Sequence, residues 1–355
     1  MERRVTLRDI AKRTGYHYST VSLALRGDLR IRGGTRETIL RVAKELGYRP
    51  DPMLGKLAAY RRGLKHPVSA ASMAYLVNWS SRELWGKEHS ETRFLEGAKR
   101  RANELGYHLE EVWANEPKLT GRRLSEILST RNYDGLVVAR TPSGRGHLGL
   151  DWSQFSAVKI GHSLVYPRLH CVENNQYQIM QLAIRTLRRK GYRRVGLAMR
   201  ALSDETVNHG WKAGYLVETD RPGFERIPML ITKNWNAATF KKWFQRYNPQ
   251  VVVSVHLKIL NWLRELGVRV PDDVGYVDLD CNDRSGARAG VYQRYEQVGA
   301  AAVNALNGLI MHSERGIPET PQLILLEGMW VDGATLKGQV RSPARKRSSR
   351  FVNKK

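Results

Sequence analysis

Thr6–Gly27, TLRDIAKRTGYHYSTVSLALRG, reads as two short helices joined by a tight turn. Thr6 with Asp9 three residues later makes a capping-box start, hydroxyl and carboxylate each serving a backbone N–H that the first turn leaves without a partner. Leu7, Ile10 and Ala11 recur at helical spacing and give one apolar face. Gly15 supplies the left-handed residue that ends the helix. A second helix begins near Tyr18, with Val21 and Leu25 inward and Tyr18, Ser19, Ser22 and Arg26 outward. Two short helices at a steep angle, the second presenting hydroxyls and a base, match the way a helix-turn-helix enters a major groove.

A basic, glycine-containing loop, Asp28–Gly34, leads to a third helix over about Thr35–Leu46. Its Ile39, Val42, Ala43 and Leu46 close a three-helix core against Leu7, Ile10, Val21 and Leu25, and Gly47 ends it. Asp51 and Pro52 then suit the N-cap and first turn of a short helix, Met53–Tyr60, which eight residues alone would not hold in water. Tyr60–Ala70 is a polar linker.

Charge is concentrated at the two ends. Of a net +25, residues 1–66 carry +10 and residues 337–355 carry +8 with no acid, which fits a polyanion that touches both ends. Hydrophobic residues make up 41% of the 355, enough for a large core in two or three packed units, and no run approaches a membrane span. MERRVTL lacks the apolar stretch of a secretory signal. Cys171 and Cys281, far apart, make no disulfide framework, so a reducing cytoplasm is expected.

From Ser72 strands alternate with helices. The first series has strands Ser72–Val77, Tyr107–Trp113, Leu136–Ala139 and Ala157–Ile160, with helices Glu91–Leu105 and Leu119–Leu128. The second has strands Val195–Met199, Ile227–Ile231, Val251–Val255 and Val274–Leu279, with helices Tyr177–Lys190, Glu205–Glu218, Ala237–Tyr247 and Leu257–Leu266. That order predicts two parallel-sheet subdomains with a cleft between them. The end, VRSPARKRSSRFVNKK, reads as a disordered basic tail.

Three blocks in order, V-T-L-R-D-I-A-K-R-T-G at Val5–Gly15, Y-S-T-V-S at Tyr18–Ser22 and V-A-K-E-L-G-Y-R-P at Val42–Pro50, resemble the DNA-binding headpiece of the LacI-type (lactose/galactose repressor) family. L-R-E-L-G-V-R-V-P-D-D-V at Leu263–Val274 is similar to a phrase of that family's periplasmic-binding-protein-like effector domain. The resemblance implies an all-α helix-turn-helix headpiece followed by an α/β domain of two parallel-sheet subdomains. The expected divisions are a headpiece over 1–50, a hinge helix and linker over 51–70, an effector-binding and dimerisation domain over 71–338, and a basic tail over 339–355. It also implies a hinge that folds when two copies meet in the minor groove, with Leu57 as the wedge between base pairs, and three crossings between subdomains, placed near His162, Gly290 and Pro321. Pro52, Met53 and Gly55 depart from the usual hinge and weaken its helix.

The DNA-contacting set is then Thr6, Tyr18, Ser19, Thr20, Ser22, Leu23, Arg26 and Leu57, with Leu23 where many relatives carry Arg. An effector would sit at the C-terminal strand ends, where Asn78, His162 and Asp280 fall. Asn234-Trp235-Asn236 resembles a family Asp-Trp-Ser whose indole packs on a sugar face, and Gln293-Arg294-Tyr295 a Gln-x-Phe element at a crossover; His256 completes the set. Aromatic, amide and carboxylate groups suit a polyhydroxylated ligand. The family's sugar-holding arginine falls on Val207, its Asn-Asp pair on a segment with Ser254 and His256, and its Gly-Phe-Asp-Asp reads Asp278-Leu279-Asp280-Cys281, so the fold carries over and the ligand's identity does not.

Gly144-Arg145-Gly146-His147-Leu148-Gly149 matches G-x-G-x-x-G but opens no helix, and no G-x-S-x-G, H-E-x-x-H or Walker loop is present. His170-Cys171 and Cys281 lack metal-ligand spacing. No catalysis, cofactor or metal is expected. The chain reads as a homodimeric repressor of transcription that binds a palindromic double-stranded operator, takes a sugar effector and touches no membrane. An effector-independent architectural DNA binder and a carbohydrate-binding protein with a vestigial headpiece remain alternatives.

Overall fold

A computed structural model describes residues 5–25, 30–48, 71–87, 89–116, 119–142, 146–282 and 284–338. The hinge segment with Leu57, the basic tail, Arg26 and the Gly144-Arg145 end of the glycine-rich loop lie outside them.

Three helices build the headpiece, α1 (Leu7–Thr14), α2 (Tyr18–Leu25) and α3 (Gly33–Glu45). The capping box at Thr6 forms as its spacing predicts. Thr6 N–H donates to Asp9 Oδ2 at 2.8 Å, and Asp9 N–H to Thr6 Oγ1 at 3.4 Å. Gly15, at φ 75°, ends α1 in the left-handed region that a side chain would strain. Ile10, Val21, Ala24, Ile39, Val42 and Ala43 form the buried core. Ala24, rather than Leu25, is the second fully enclosed residue of α2, with Leu25 packed at the rim.

The remainder carries β1 (Ser72–Val77), β2 (His108–Trp113), β3 (Gly135–Val138), β4 (Gly146–His147), β5 (Ser156–Ile160), β6 (Leu164–Tyr166) and β7 (His170–Asn174). There follow β8 (Val195–Arg200), β9 (Leu230–Thr232), β10 (Val251–Ser254), β11 (Gly275–Cys281), β12 (Gly290–Tyr292), β13 (Leu323–Leu326) and β14 (Met329–Val331). One six-stranded sheet runs β13-β7-β5-β3-β1-β2, the other β14-β12-β11-β10-β8-β9, and β4 pairs with β6. Every pairing in the two large sheets is parallel except β12 with β14. The central strands are apolar throughout because helices cover both faces. Met73–Val77 and Val251–Ser254 are buried residue by residue. Each sheet reverses strand order beside its first strand, so each has a crevice at that switch point, β1/β3 in one and β8/β10 in the other.

Two expectations need correction. The first crossing between sheets lies at Asn175, after β7, and not near His162. His170, Glu173 and Asn174 interrupt the apolar pattern of β7 and hid it. The second and third crossings fall between β12 and the helix at Tyr295–His312, and between β13 and β14, a few residues beyond Gly290 and Pro321. The expected helix over Glu205–Glu218 is two, Ala201–Glu205 and Gly210–Thr219, because Asn208 and His209 take positive φ. Asp204, fully buried, restarts it by accepting from Lys212 N–H at 3.2 Å while pairing with His209 at 2.8 Å.

The helices His89–Glu104 and Tyr295–His312 meet backbone to backbone on the first sheet. A Cβ at Gly97 would stand 1.9 Å from the Glu296 carbonyl oxygen, and one at Gly299 1.9 Å from that of Phe94. Only glycine fits at either crossing point.

Candidate functional site

In the headpiece, α2 presents its polar face. Tyr18 is 52% exposed, Ser19 is exposed, and Thr20, Ser22 and Leu23 are half-buried along the same short helix. His17, which sequence reasoning passed over, opens the helix, its Nδ1 within 2.8 Å of Ser19 Oγ and 3.4 Å of Ser19 N. That contact orients Ser19. Thr6 is committed locally, its hydroxyl donating to Asp9 Oδ2 at 2.7 Å.

In the α/β part of the chain the crevice at β1/β3 is polar and densely paired. Trp79, just past β1, donates its indole N–H to the Arg140 carbonyl at 2.9 Å. Arg140, just past β3, donates from Nε to Glu91 at 2.6 Å and from a terminal nitrogen to Ser90 at 2.5 Å, with its guanidinium 5.0 Å from the Phe94 ring centroid. Burial works against its charge, but Glu91, Tyr295 and Asp280 outweigh that and raise its pKa. Neither Arg140 nor Glu91 was anticipated, although the position directly after an apolar strand was a usable signal.

Facing it from the second sheet are Asp278 and Asp280 of β11. Burial, then Asp280, pushes the Asp278 carboxyl up to about 6, against Arg288, whose Nε donates to it at 3.1 Å. Asp280 accepts from the Tyr295 hydroxyl, tying the second sheet to the helix that packs on the first. Tyr295 itself is buried and its ring meets Phe94 edge-on, centroids 4.9 Å apart. Arg93 adds a second tie, donating to the Asn282 carbonyl at 2.6 Å and pairing with Glu296 at 2.8 Å.

Gln293 is not an open ligand contact. It is 1% exposed, donates to the Leu279 carbonyl at 2.7 Å and accepts from Gln176 at 3.0 Å, while Asn174 donates to its backbone carbonyl. It pins two crossings together. Tyr295 likewise spends its hydroxyl on Asp280. Trp235 lies in a different quarter, at the strand ends of the second sheet, half-buried against His256 at 4.8 Å and Trp262 at 5.2 Å between centroids. His256 Nε2 faces Arg200 N–H and Ser203 Oγ, both at 3.2 Å, and burial, then Arg200 and Lys258, lowers its pKa to about 4. It is therefore a neutral acceptor near pH 7. Val207 packs with the apolar core of that subdomain. Asn78 is half-buried beside Trp79, and His162 bonds to Glu173 at 2.7 Å on the far side of the first sheet's strand ends. The seven expected residues thus fall into separate groups, of which Tyr295 and Asp280 are joined directly and Trp235 and His256 meet with rings tilted at 41°.

Comparisons with known proteins agree with this layout. The family model described as "Bacterial regulatory proteins, lacI family" matches residues 6–51. The chain is 24% identical over 344 residues to the HTH-type transcriptional regulator GalR of Streptococcus thermophilus, spanning 90% of this chain and 96% of that protein. It is 22% identical over 355 residues to the HTH-type transcriptional repressor PurR of Haemophilus influenzae (strain PittEE), spanning 90% and 97%. Among solved structures, a transcriptional regulator CelR–cellobiose complex superposes at TM-score 0.58 with 20% identity, covering 94% of this chain and all of the other. The lac repressor dimer bound to operator and the anti-inducer ONPF does so at 0.55 with 19% identity, covering 94% and 99%. These likenesses extend the shared fold through the whole effector domain. Among the described residues no helix is long and apolar enough to cross a membrane.

Proposed function

We propose, from the premise that this chain is a LacI-type transcriptional regulator, that it works in the cytoplasm as a homodimeric repressor without enzymatic activity. Each headpiece reads one half of a palindromic operator, and a polyhydroxylated effector, a sugar, acts from the cleft. One headpiece offers too little surface for the usual specific affinity, which is why two copies are required. The observation that carries the effector half of the reading is the cluster of Arg140, Glu91, Asp280 and Tyr295, directional charged and hydroxyl groups drawn from both sheets beside Trp79. Hydroxyls of a ligand can exchange with the Tyr295–Asp280 bond, and that exchange changes how the two sheets are held. The sugar-bound relative is a cellobiose complex, and the same ligand class suits this cleft.

DNA contact is assigned to Tyr18, Ser19, Thr20, Ser22 and Leu23 of α2, with Thr6 at the α1 terminus, Arg26 beyond α2 and Leu57 as hinge wedge. Effector contact is assigned to Asp280 and Asn78 beside Arg140, with Trp235, His256 and His162 around the rim. The test is selection of bound fragments from genomic DNA, followed by operator binding with and without a panel of neutral and acidic saccharides. A recurrent palindrome whose binding shifts with one sugar supports the reading. Motif-free binding that no saccharide alters would leave the architectural alternative standing.

A further inference from the structure

His162, Cys171 and Glu173 converge on the first sheet in a way their spacing in the chain does not suggest. Cys171 and Glu173 are two apart on β7 and so share a face of the sheet. The β5/β7 register, Lys159 beside Cys171 and Ile160 beside Val172, delivers His162 next to Glu173 just past the end of β5. One imidazole nitrogen, the thiol sulfur and one carboxylate oxygen all lie within 4.8 Å of one another, and the His162–Glu173 pair is already at 2.7 Å.

We propose that these three residues bind a borderline divalent cation of the zinc class, with a fourth coordination position open on the solvent side. The donor set carries the identification. A nitrogen, a thiolate and a carboxylate are the ligands such an ion selects, whereas magnesium and calcium call for shells built of oxygen and find one carboxylate here. Three protein ligands without a fourth is the composition of an exchangeable site rather than a closed structural one. The fourth position follows from exposure. Cys171 is 5% exposed, while the His162 and Glu173 side chains keep 29% and 14% and form the solvent side of the group.

In the ion-free structure the thiol keeps its proton. The Cys171 thiol donates to the Gly161 carbonyl at 3.3 Å. Binding therefore releases the thiol proton to solvent, and the ion's two charges are balanced by thiolate and carboxylate. Lys159, buried nearby and donating to the Leu164 carbonyl at 2.6 Å, is the positive charge the site must tolerate. Cys281 belongs to the second sheet and both cysteines are free, so a disulfide does not compete for the sulfur.

The experiment uses the full chain, chelator-treated and reduced, titrated with cobalt(II) and then zinc(II). We expect a near-ultraviolet sulfur-to-cobalt band that saturates at one ion per protomer and disappears on adding zinc. Cys171→Ser should remove the band and Cys281→Ser should keep it. His162→Ala, at a half-exposed position that leaves the core untouched, should weaken binding by roughly tenfold or more. Absence of the band in the wild type, its survival in Cys171→Ser, or unchanged affinity in His162→Ala each overturns the proposal. None of these readouts involves DNA or saccharide, so the site stands or falls separately from the operator reading.

Discussion

The hydrogen bonds that shape the reading helix join Thr6 to Asp9 and His17 to Ser19, three and two residues apart. Those that shape the cleft join Gln176 to Gln293 and Arg93 to Asn282, 117 and 189 residues apart. A headpiece built from such short-range bonds can be rewired one residue at a time. The cleft cannot, because its polar groups are held by partners distant in the chain, several of them arriving from the other sheet. The contrast teaches that the two halves of the function should answer to mutation differently, the headpiece in what it recognises and the cleft in whether it stays assembled.

The largest effect is expected at Arg140. Arg140→Met strands the buried Glu91 carboxylate and should cost the effector domain about 3 kcal/mol, read by urea unfolding. Operator motif choice should not change. A destabilised variant that also selects a new motif would break the separation of the two regions.

His256 sharpens the comparison through pH. Its folded pKa of about 4 lies below the ordinary 6.5, so between those values the unfolded chain binds the extra proton and stability falls as pH falls. Asp278 opposes this. Its carboxyl, raised to about 6, is strained when charged, and protonation relieves that strain as pH drops from 6 toward the ordinary carboxylate range. His256→Gln should therefore shrink the stability lost between pH 7 and 5, whereas Asp278→Asn should enlarge it. Identical pH profiles in wild type and His256→Gln would mean that the ring is not held neutral.

Thr6→Ala removes the cap of α1 and should lower headpiece stability by about 1 kcal/mol, with a matching loss of operator affinity and no change in effector-domain unfolding. The smallest energetic effect belongs to Leu23→Arg. A half-buried surface position should move stability by less than about 0.5 kcal/mol. The arginine exchanges an apolar surface suited to a thymine methyl for a fork suited to guanine, so selection from random DNA should return a different half-site. Identical motifs from both proteins would remove Leu23 from the reading face.

The same contrast explains how much was legible in the residues alone. The capping box, Gly15 and the α3 core follow from spacings of three and four, and the structure repeats them. Strands Ser72–Val77 and Val251–Ser254 were plain because burial on both faces makes them continuous apolar runs. β7 was hidden because the polar residues at its end serve the cleft rather than the core, and the first crossing was misplaced with it. Arg140 and Glu91 are 49 residues apart and show no pattern that links them. Gln293 was found by resemblance, yet its role as a pin depends on Leu279 and Gln176, which no local pattern names. His162 with Cys171 and Glu173 needed the β5/β7 register before they formed a group at all.

The glycine crossing of His89–Glu104 with Tyr295–His312 bears on how the chain is made. The first sheet's own covering helix, and its edge strand β13, are encoded after nearly all of the second subdomain. As the chain leaves the ribosome, the early half waits with its apolar face uncovered while residues 176–292 emerge and can close on themselves, lacking only β14 and the residues through Leu336 that follow it. The first subdomain is then completed after the second has emerged, and the segment waiting longest within it is the one carrying Glu91 and Arg140. Chaperone demand, rather than final stability, would be the first place where a bulkier residue at Gly97 or Gly299 is felt.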